Sequence, residues 1–201
     1  MATTLQYGTS GTLVSALAGL GTIKLMDAQG GGTRTTQITP SMVEQRMFDS
    51  NTNADLGWVT NYVAVPFTLS GQVSFGLRAS ESGTGVNVGL RAKIIRIPAD
   101  TTINGIQTVL TADRAGEIAT SNTDYTWSAT PGTGVAFSVN DRILFLPYWY
   151  PQGGTTATGT ATFNDDAQNE VTFTEDIVFS ATPIVFPIRS APILGQPRPL
   201  F

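Results

Sequence analysis

The 201-residue sequence contains no cysteine and no histidine. These absences exclude disulfides, thiolate chemistry, zinc sites built on these residues, and every catalytic relay that needs an imidazole. Carboxylate-pair hydrolysis and oxygen-ligand metal sites are the chemistry that is left. Because nothing in the spacing of the carboxylates pairs them, we predict no catalytic residue, no cofactor and no enzymatic activity.

Charge is also scarce. Charged residues make up 13% of the chain, with a formal net charge of -4, whereas about 25% is typical of soluble domains. The basic residues are spread along the sequence, so the chain lacks both the footprint of a nucleic-acid binder and the polybasic segment that attracts anionic lipid. We therefore predict neither nucleic acid nor a membrane as partner.

Long hydrophobic runs are missing as well. The apolar run at residues 13–20 is too short to span a bilayer. It also follows no basic region, since the first basic residue is Lys24, whereas a signal peptide begins with one. We expect the protein to be synthesised in the cytoplasm of the cell that expresses it.

What the sequence does have is alternation between residues 70 and 97. Val73, Phe75 and Leu77 fall on one face, and the same pattern resumes from residue 86 after a Gly-rich break. A period of two over this length predicts two half-buried strands joined by a turn, as in a β-hairpin.

The polar faces of these two strands carry basic residues. Such residues either keep strand edges from pairing indiscriminately or meet acidic groups of a partner in an assembly. The sequence leaves both interpretations open for Arg78, Arg91, Lys93 and Arg96.

Three regions differ in pattern. Residues 1–55 are rich in Gly and Thr without a sustained period, which predicts an N-terminal arm with little regular structure. Residues 56–180 read as successive short strands, and the run at 142–150, apolar on both faces, is the candidate central strand. This spacing predicts an all-β fold, an antiparallel, jelly-roll-like β-sandwich. Residues 181–201 contain spaced prolines, which predict an extended C-terminal arm.

The C-terminal arm is apolar, whereas a disordered tail should be polar. An extended apolar arm is expected to lie on the domain itself or on a neighbouring subunit. The residues predicted to bind a partner are Ile184, Phe186, Ile188, Ile193, Leu194, Leu200 and Phe201.

Two further groups of residues suggest ligands. Trp127, Tyr148, Trp149 and Tyr150 could stack on sugar rings, although we favour packing in the core for them. An acidic segment containing Asp165 and Asp166 would offer oxygen ligands to calcium. Asn and Asp are also the usual residues of a β-turn, so we predict a turn there and no metal.

The order of these features resembles β-rich virion structural proteins of tailed bacteriophages. Residues 68–81 lead into a second strand at 86–97, and later come Val-Asn-Asp-Arg-Ile-Leu-Phe at 139–145 and Gly-Thr-Ala-Thr-Phe-Asn-Asp at 159–165. In that group a strand with Arg, a small residue and Glu-Ser, an Asn-Asp-Arg-Ile strand start and a Gly-Thr-x-x-Phe strand recur on a jelly-roll-like sandwich. The match covers roughly residues 58–180.

The resemblance implies a structural role in the virion and carries no catalytic residues. We expect a capsid decoration (cement) protein that binds and stabilises the coat lattice at the capsid surface. Its partners would be the major capsid protein, copies of itself, or both, as a homo-oligomer and specifically a trimer. The alternative is a tail-associated or fibre-associated sandwich domain that binds host surface glycan. A carbohydrate-active enzyme using Asp165 or Glu170 is disfavoured, because no carboxylate pair is evident.

Overall fold

Apolar residues alternating with Thr, Ser and Gly favour extended backbone with one face packed. In the computed structural model the chain folds accordingly. The structure describes residues 1–8, 13–14, 20–26, 32–39, 41–49, 54–83, 86–99, 105–154, 156–163 and 168–185.

Within these residues the regular structure consists of strands. In chain order they are β1 (Thr3–Gln6), β2 (Thr22–Leu25), β3 (Gly32–Ile38), β4 (Gln45–Arg46), β5 (Phe48–Asp49), β6 (Ala54–Val59), β7 (Tyr62–Val63), β8 (Phe67–Leu69), β9 (Val73–Glu81), β10 (Val86–Ile97), β11 (Gln107–Arg114), β12 (Thr123–Ala129), β13 (Val135–Phe137), β14 (Arg142–Gly154), β15 (Ala157–Phe163), β16 (Glu170–Phe173) and β17 (Phe179–Ser180). None of the described residues forms a helix long and apolar enough to cross a membrane.

Most strands belong to two main sheets. In sheet 1 the order is β1-β16-β9-β15-β3, with β12 on the other side of β9. In sheet 2 the order is β11-β10-β14-β6-β2, with β4 beside β14 and β5 beside β6. Pairing is antiparallel except between β2 and β6, which are parallel. The predicted all-β antiparallel β-sandwich is confirmed.

The core lies between the two sheets. Phe75 and Leu77 of β9 enter it from sheet 1, and Leu90 and Ile94 of β10 enter it from sheet 2. The two strands therefore lie in different sheets, so the predicted hairpin is wrong. A period of two shows that each strand has one buried face, but it does not show which strand lies beside it.

An aromatic cluster fills the centre of the core. The ring of Tyr7 lies 4.9 Å from that of Trp58 and 4.8 Å from that of Phe145. Both polar groups in this cluster are satisfied, since the Tyr7 hydroxyl donates to the carbonyl of Gly76 and the Trp58 indole donates to that of Gly8 at 2.9 Å. Tyr7, at the centre of this cluster, directly follows β1, the first strand of the chain.

The N-terminal region is therefore not an arm, and that prediction is corrected. β1 pairs with β16 and β3 pairs with β15, so the first 55 residues contribute strands to sheet 1. β2, β4 and β5 contribute to sheet 2. These strands are two to seven residues long, too short for a periodic signal, and their neighbours in the sheets stabilise them.

Strand β14 is central, as predicted. One of its edges pairs with β10 and the other with β6 and β4. Its inward residues Ile143 and Phe145 belong to the main core, while Leu144 and Leu146 lie in a second buried cluster. That second cluster is covered by parts of the N-terminal region, which include Val14 and Leu20. Burial on both faces explains why this segment is apolar throughout.

Candidate functional site

Glu81 is an acidic residue on the inward face of the sandwich. It ends β9, and alternation places it on the same face as Phe75, Leu77 and Ala79. Its side chain is correspondingly buried, with the residue only 3% exposed. A carboxyl group therefore occupies the last core position of this strand.

The loop that joins β11 and β12 closes this end of the sandwich. Ile118 is buried, and its N–H donates to the carbonyl of Val88 in sheet 2 at 2.9 Å. The carbonyl of Ala119 accepts from the N–H of Glu81 in sheet 1 at 3.0 Å, and its N–H donates to the Tyr125 hydroxyl at 2.5 Å. These bonds attach the loop to both sheets and fix it over Glu81.

An open cavity of about 540 Å³ lies under this loop. Its polar lining consists of two carboxylic acids, two threonines and one tyrosine. They are Glu81, Glu117, Thr120, Thr123 and Tyr125. The acid on the loop is exposed, whereas the one on β9 is buried.

The two carboxyl groups face each other without a mediating donor. Among the described residues, no hydrogen-bond donor reaches either carboxylate oxygen of Glu81. Burial, and secondarily the adjacent carboxyl of Glu117, raise the pKa of Glu81 to about 7. Ionised carboxylates only accept hydrogen bonds, so the pair is compatible when it holds a proton or a cation between its members.

A basic residue lies near this cavity but is engaged elsewhere. The guanidinium of Arg114 lies 4.3 Å from the centre of the Tyr125 ring. Its Nη1 donates to the carbonyls of Gly116 and Glu117, at 2.9 and 3.4 Å. This cation therefore braces the loop backbone.

The sequence contained a signal for half of this pair. The alternation that starts at Val73, when continued, assigns Glu81 to the buried face, where a carboxyl group needs a partner. Glu117 carries no such signal, because it lies in a loop without periodicity. Only the fold brings the two together.

The basic residues of β10 are paired within the chain. Arg91 contacts Asp113 at 2.6 Å and Glu44 at 2.8 Å, and Lys93 also contacts Glu44. Although burial opposes it, the hydrogen bonds from Lys93 and Arg91 lower the pKa of Glu44. Acidic partners on β11 and before β4 thus neutralise this part of sheet 2.

The other two basic residues are paired in the same way. Arg78 forms a two-point contact with Asp124 at 2.6 and 2.7 Å. Arg96 contacts Asp141 at 2.6 Å. Because β9 and β10 both have neighbours on each side, the edge-guarding interpretation is wrong. A role in binding an acidic partner would first require these pairs to open.

The predicted aromatic stacking residues do not form an open platform. Trp149 is fully buried and Tyr148 is 9% exposed, with the Lys93 ammonium 4.7 Å from its ring centre. Tyr150 lies under the guanidinium of Arg91 at 4.2 Å. Trp127 is half-buried and stacks on a core phenylalanine at 5.5 Å. Burial of Trp149 excludes sugar stacking through it and agrees with the core packing that we favoured for this residue.

The beginning of the C-terminal segment is held at a defined place. Asn140 has a left-handed backbone, with φ of 70°. Its side-chain amide donates to the carbonyl of Ile184 at 2.8 Å and accepts from the N–H of the same residue at 2.6 Å. Just before this contact, β17 pairs with β7. Ile184 is half-buried, and Val185 beyond it is 86% exposed.

Several residues singled out from the sequence lie outside the described residues. They are Asp165, Asp166, Phe186, Ile188, Ile193, Leu194, Leu200 and Phe201.

No protein-family model matches this chain, and no curated protein matches it. Solved structures do resemble it. An aminopeptidase from a marine-sediment Thaumarchaeota archaeon is 12% identical with a TM-score of 0.54. A CocE/NonD family hydrolase from Staphylococcus aureus is 9% identical, also with a TM-score of 0.54. Both alignments cover 86% of this chain but only 36% of the other chain. At such identities the likeness shows the fold alone.

These structures correct the prediction that the chain has no enzymatic activity. The same fold occurs within the chains of an aminopeptidase and a hydrolase, so an all-β sandwich of this kind is no ground for predicting that activity is absent. Its premise also fails, since Glu81 and Glu117 form the carboxyl pair that spacing did not reveal.

Proposed function

We propose that this chain is a structural protein of a bacteriophage virion, and specifically a capsid decoration protein that attaches to the coat lattice through its C-terminal segment. The observation that supports this most directly is the contact between Asn140 and Ile184. Two hydrogen bonds fix the chain at that point, and an apolar, proline-spaced sequence follows it.

The chemistry of that sequence favours attachment to another protein. Spaced prolines restrict the free segment, so ordering it on a partner costs less conformational entropy than for an ordinary chain. Burying one Leu, Ile or Phe side chain contributes roughly 1.5–3 kcal/mol. Several such residues occur between positions 186 and 201, so a shallow apolar groove on a coat subunit or on a sister copy would suffice.

The paired charges of the sandwich support the same proposal. All four basic residues of β9 and β10 have acidic partners in the chain. Attachment through the sandwich by electrostatics would have to break these pairs, whereas attachment through the arm leaves them intact. We also propose self-association as a trimer on the shell, with the C-terminal segments as the connecting elements.

The alternative function, glycan binding by a tail-associated domain, receives less support. It needs aromatic faces open to solvent. Of the residues named for it, Trp149 is in the core, and Tyr148 and Tyr150 lie under basic side chains.

The test is co-sedimentation with heads of the encoding phage that lack this protein. The full chain is compared with a variant that lacks residues 188–201. We expect at least a tenfold loss of head binding, with a melting temperature within about 2 °C of the full chain, because surface changes outside packed structure alter stability little.

A matched control distinguishes the arm from general surface change. Asp176→Asn alters an exposed carboxylate near β17. This carboxylate lies 3.9 Å from the N-terminal amino group. The variant should bind heads like the unchanged chain. If the truncated chain binds heads as tightly as the full chain, the attachment proposal is wrong. If it unfolds, the segment belongs to the sandwich.

A further inference from the structure

We infer that the cavity between Glu81 and Glu117 binds a hard divalent cation, calcium in preference to magnesium. This site is independent of the proposed role in the virion. It rests on a buried carboxyl group without a donor, on a second carboxyl facing it, and on a cavity lined by further oxygen atoms.

The buried carboxyl is the first step of the argument. Glu81 is 3% exposed, and within the described part of the chain its oxygens meet no hydrogen-bonding group other than the adjacent carboxyl of Glu117. Buried carboxylates are normally paired or coordinate a metal, because an isolated buried charge is strongly unfavourable. The structure thus leaves this group with unused ligand capacity.

The second carboxyl makes a cation the suitable ligand. The carboxyl of Glu117 lies directly beside that of Glu81 at the cavity wall, so an anion or a hydrogen-bond acceptor would meet two like charges. Arg114, which lies against Tyr125, spends its Nη1 donor on loop carbonyls. A small positive ion between the two carboxylates relieves both their repulsion and the desolvation of the buried one.

The remaining lining indicates which ion fits. The hydroxyls of Thr120 and Thr123 add neutral oxygens, and the chain has no histidine or cysteine to supply softer ligands. Calcium accepts six to eight oxygens in irregular geometry, about 2.3–2.6 Å away, whereas magnesium demands a tight octahedron and retains its waters. An open cavity on a loop suits calcium.

The small number of charges predicts weak binding. No group of three or more acidic, His or Cys ligands is found among the residues that the structure covers, so neutral oxygens and water must complete the shell. Calcium sites with little charge have dissociation constants of about 0.1–1 mM.

The experiment titrates calcium chloride into the full chain at about pH 8, where a carboxyl with a pKa of about 7 is ionised. Binding is read by calorimetry and by melting temperature. At about 10 mM calcium we expect a rise of roughly 3–6 °C, and magnesium at the same concentration should give less than half of it.

Two variants locate the ion. Glu81→Gln and Glu117→Gln should each weaken calcium binding at least tenfold. Without calcium, Glu81→Gln should melt at a higher temperature than the unchanged chain, because its amide can donate to Glu117. This gain shows that the variant folds, and a merely structural carboxylate would not produce it.

The control removes the other acidic candidate. Asp165→Asn combined with Asp166→Asn neutralises the acidic segment that the sequence also offered to calcium, and this variant should bind calcium like the unchanged chain. The inference is overturned if the unchanged chain shows no calcium-dependent heat or melting shift up to about 10 mM. It is equally overturned if binding survives in both glutamine variants or disappears in the double asparagine variant.

Discussion

Among the residues that the structure describes, two carboxylates are buried, and their surroundings differ. Asp141, 1% exposed, accepts hydrogen bonds from Arg96 at 2.6 Å, from the N–H of Ser138 at 2.8 Å and from that of Ala99 at 3.1 Å. Glu81, 3% exposed, meets no hydrogen-bonding group in the described part of the chain other than the carboxyl of Glu117. Burial alone therefore does not define a site. Hydrogen-bond donors distinguish the two. The oxygens of Asp141 are occupied by donors that tie neighbouring segments together, whereas the oxygens of Glu81 can still bind a ligand.

The largest effect on stability should come from removing Asp141, the buried carboxylate that accepts hydrogen bonds. Asp141→Ala leaves Arg96 and two backbone N–H groups without their acceptor. Breaking one side of a buried ion pair costs about 3–5 kcal/mol, and we expect a loss of this size in the free energy of unfolding, measured by urea denaturation.

A more exposed ion pair provides the control. Asp124→Ala breaks the contact with Arg78, which is partly solvated on both sides. Such pairs contribute about 0–1 kcal/mol. Equal losses in the two alanine variants would show that burial of Asp141 has no energetic weight.

The buried carboxyl of Glu81 should make the stability of the chain depend on pH. The folded state raises the pKa of Glu81 from 4.5 to about 7, so folded chains hold a proton that unfolded chains release. Its contribution to stability is complete below about pH 4.5 and is lost as pH rises through about 7. One pKa unit corresponds to about 1.4 kcal/mol, so the loss is up to about 3 kcal/mol.

Glu81→Gln cannot titrate, so it isolates this contribution. The difference in unfolding free energy between this variant and the unchanged chain should grow from pH 4.5 to 7 in calcium-free buffer. A difference that stays constant over that interval would mean that Glu81 ionises as it does in water.

The smallest effect on stability should come from replacing Asn140, which precedes Asp141 in the chain. Asn140→Gly keeps the left-handed backbone accessible but removes both hydrogen bonds to Ile184. We expect a loss of about 1 kcal/mol or less in stability and faster amide hydrogen exchange at Ile184. Asn140→Asp retains an acceptor for that N–H and should exchange at an intermediate rate. Unchanged exchange in the glycine variant would show that other contacts hold this segment.

The sequence showed which face of a strand is buried, but not which strands lie beside each other. Alternation from Val73 onward correctly identified the buried side of β9 at Val73, Phe75 and Leu77, but Glu81, which ends the strand on the same face, was assigned to the break that follows. It could not show that β9 and β10 belong to different sheets, because each strand's pattern depends only on its own buried face. The short N-terminal strands escaped detection because their order comes from neighbours distant in sequence.

The candidate site followed the same rule. A core position occupied by an acid was readable from the pattern, whereas Glu117 reaches it through a loop fixed by backbone hydrogen bonds from Ile118 and Ala119. Loop backbones of this kind have no side-chain periodicity to report them. The pairing of each basic residue was likewise hidden, since its partner lies on another strand.

The pairing of β1 with β16 has a consequence for the order of events during synthesis. β1 has no strand to pair with until β16 has been synthesised. Tyr7 completes the aromatic centre only then. A nascent chain therefore carries β1 without its neighbour until residues 170–173 have left the ribosome. Contacts between such distant segments also make folding slow. The synthesis of β16 thus sets the earliest point at which this part of sheet 1 can form.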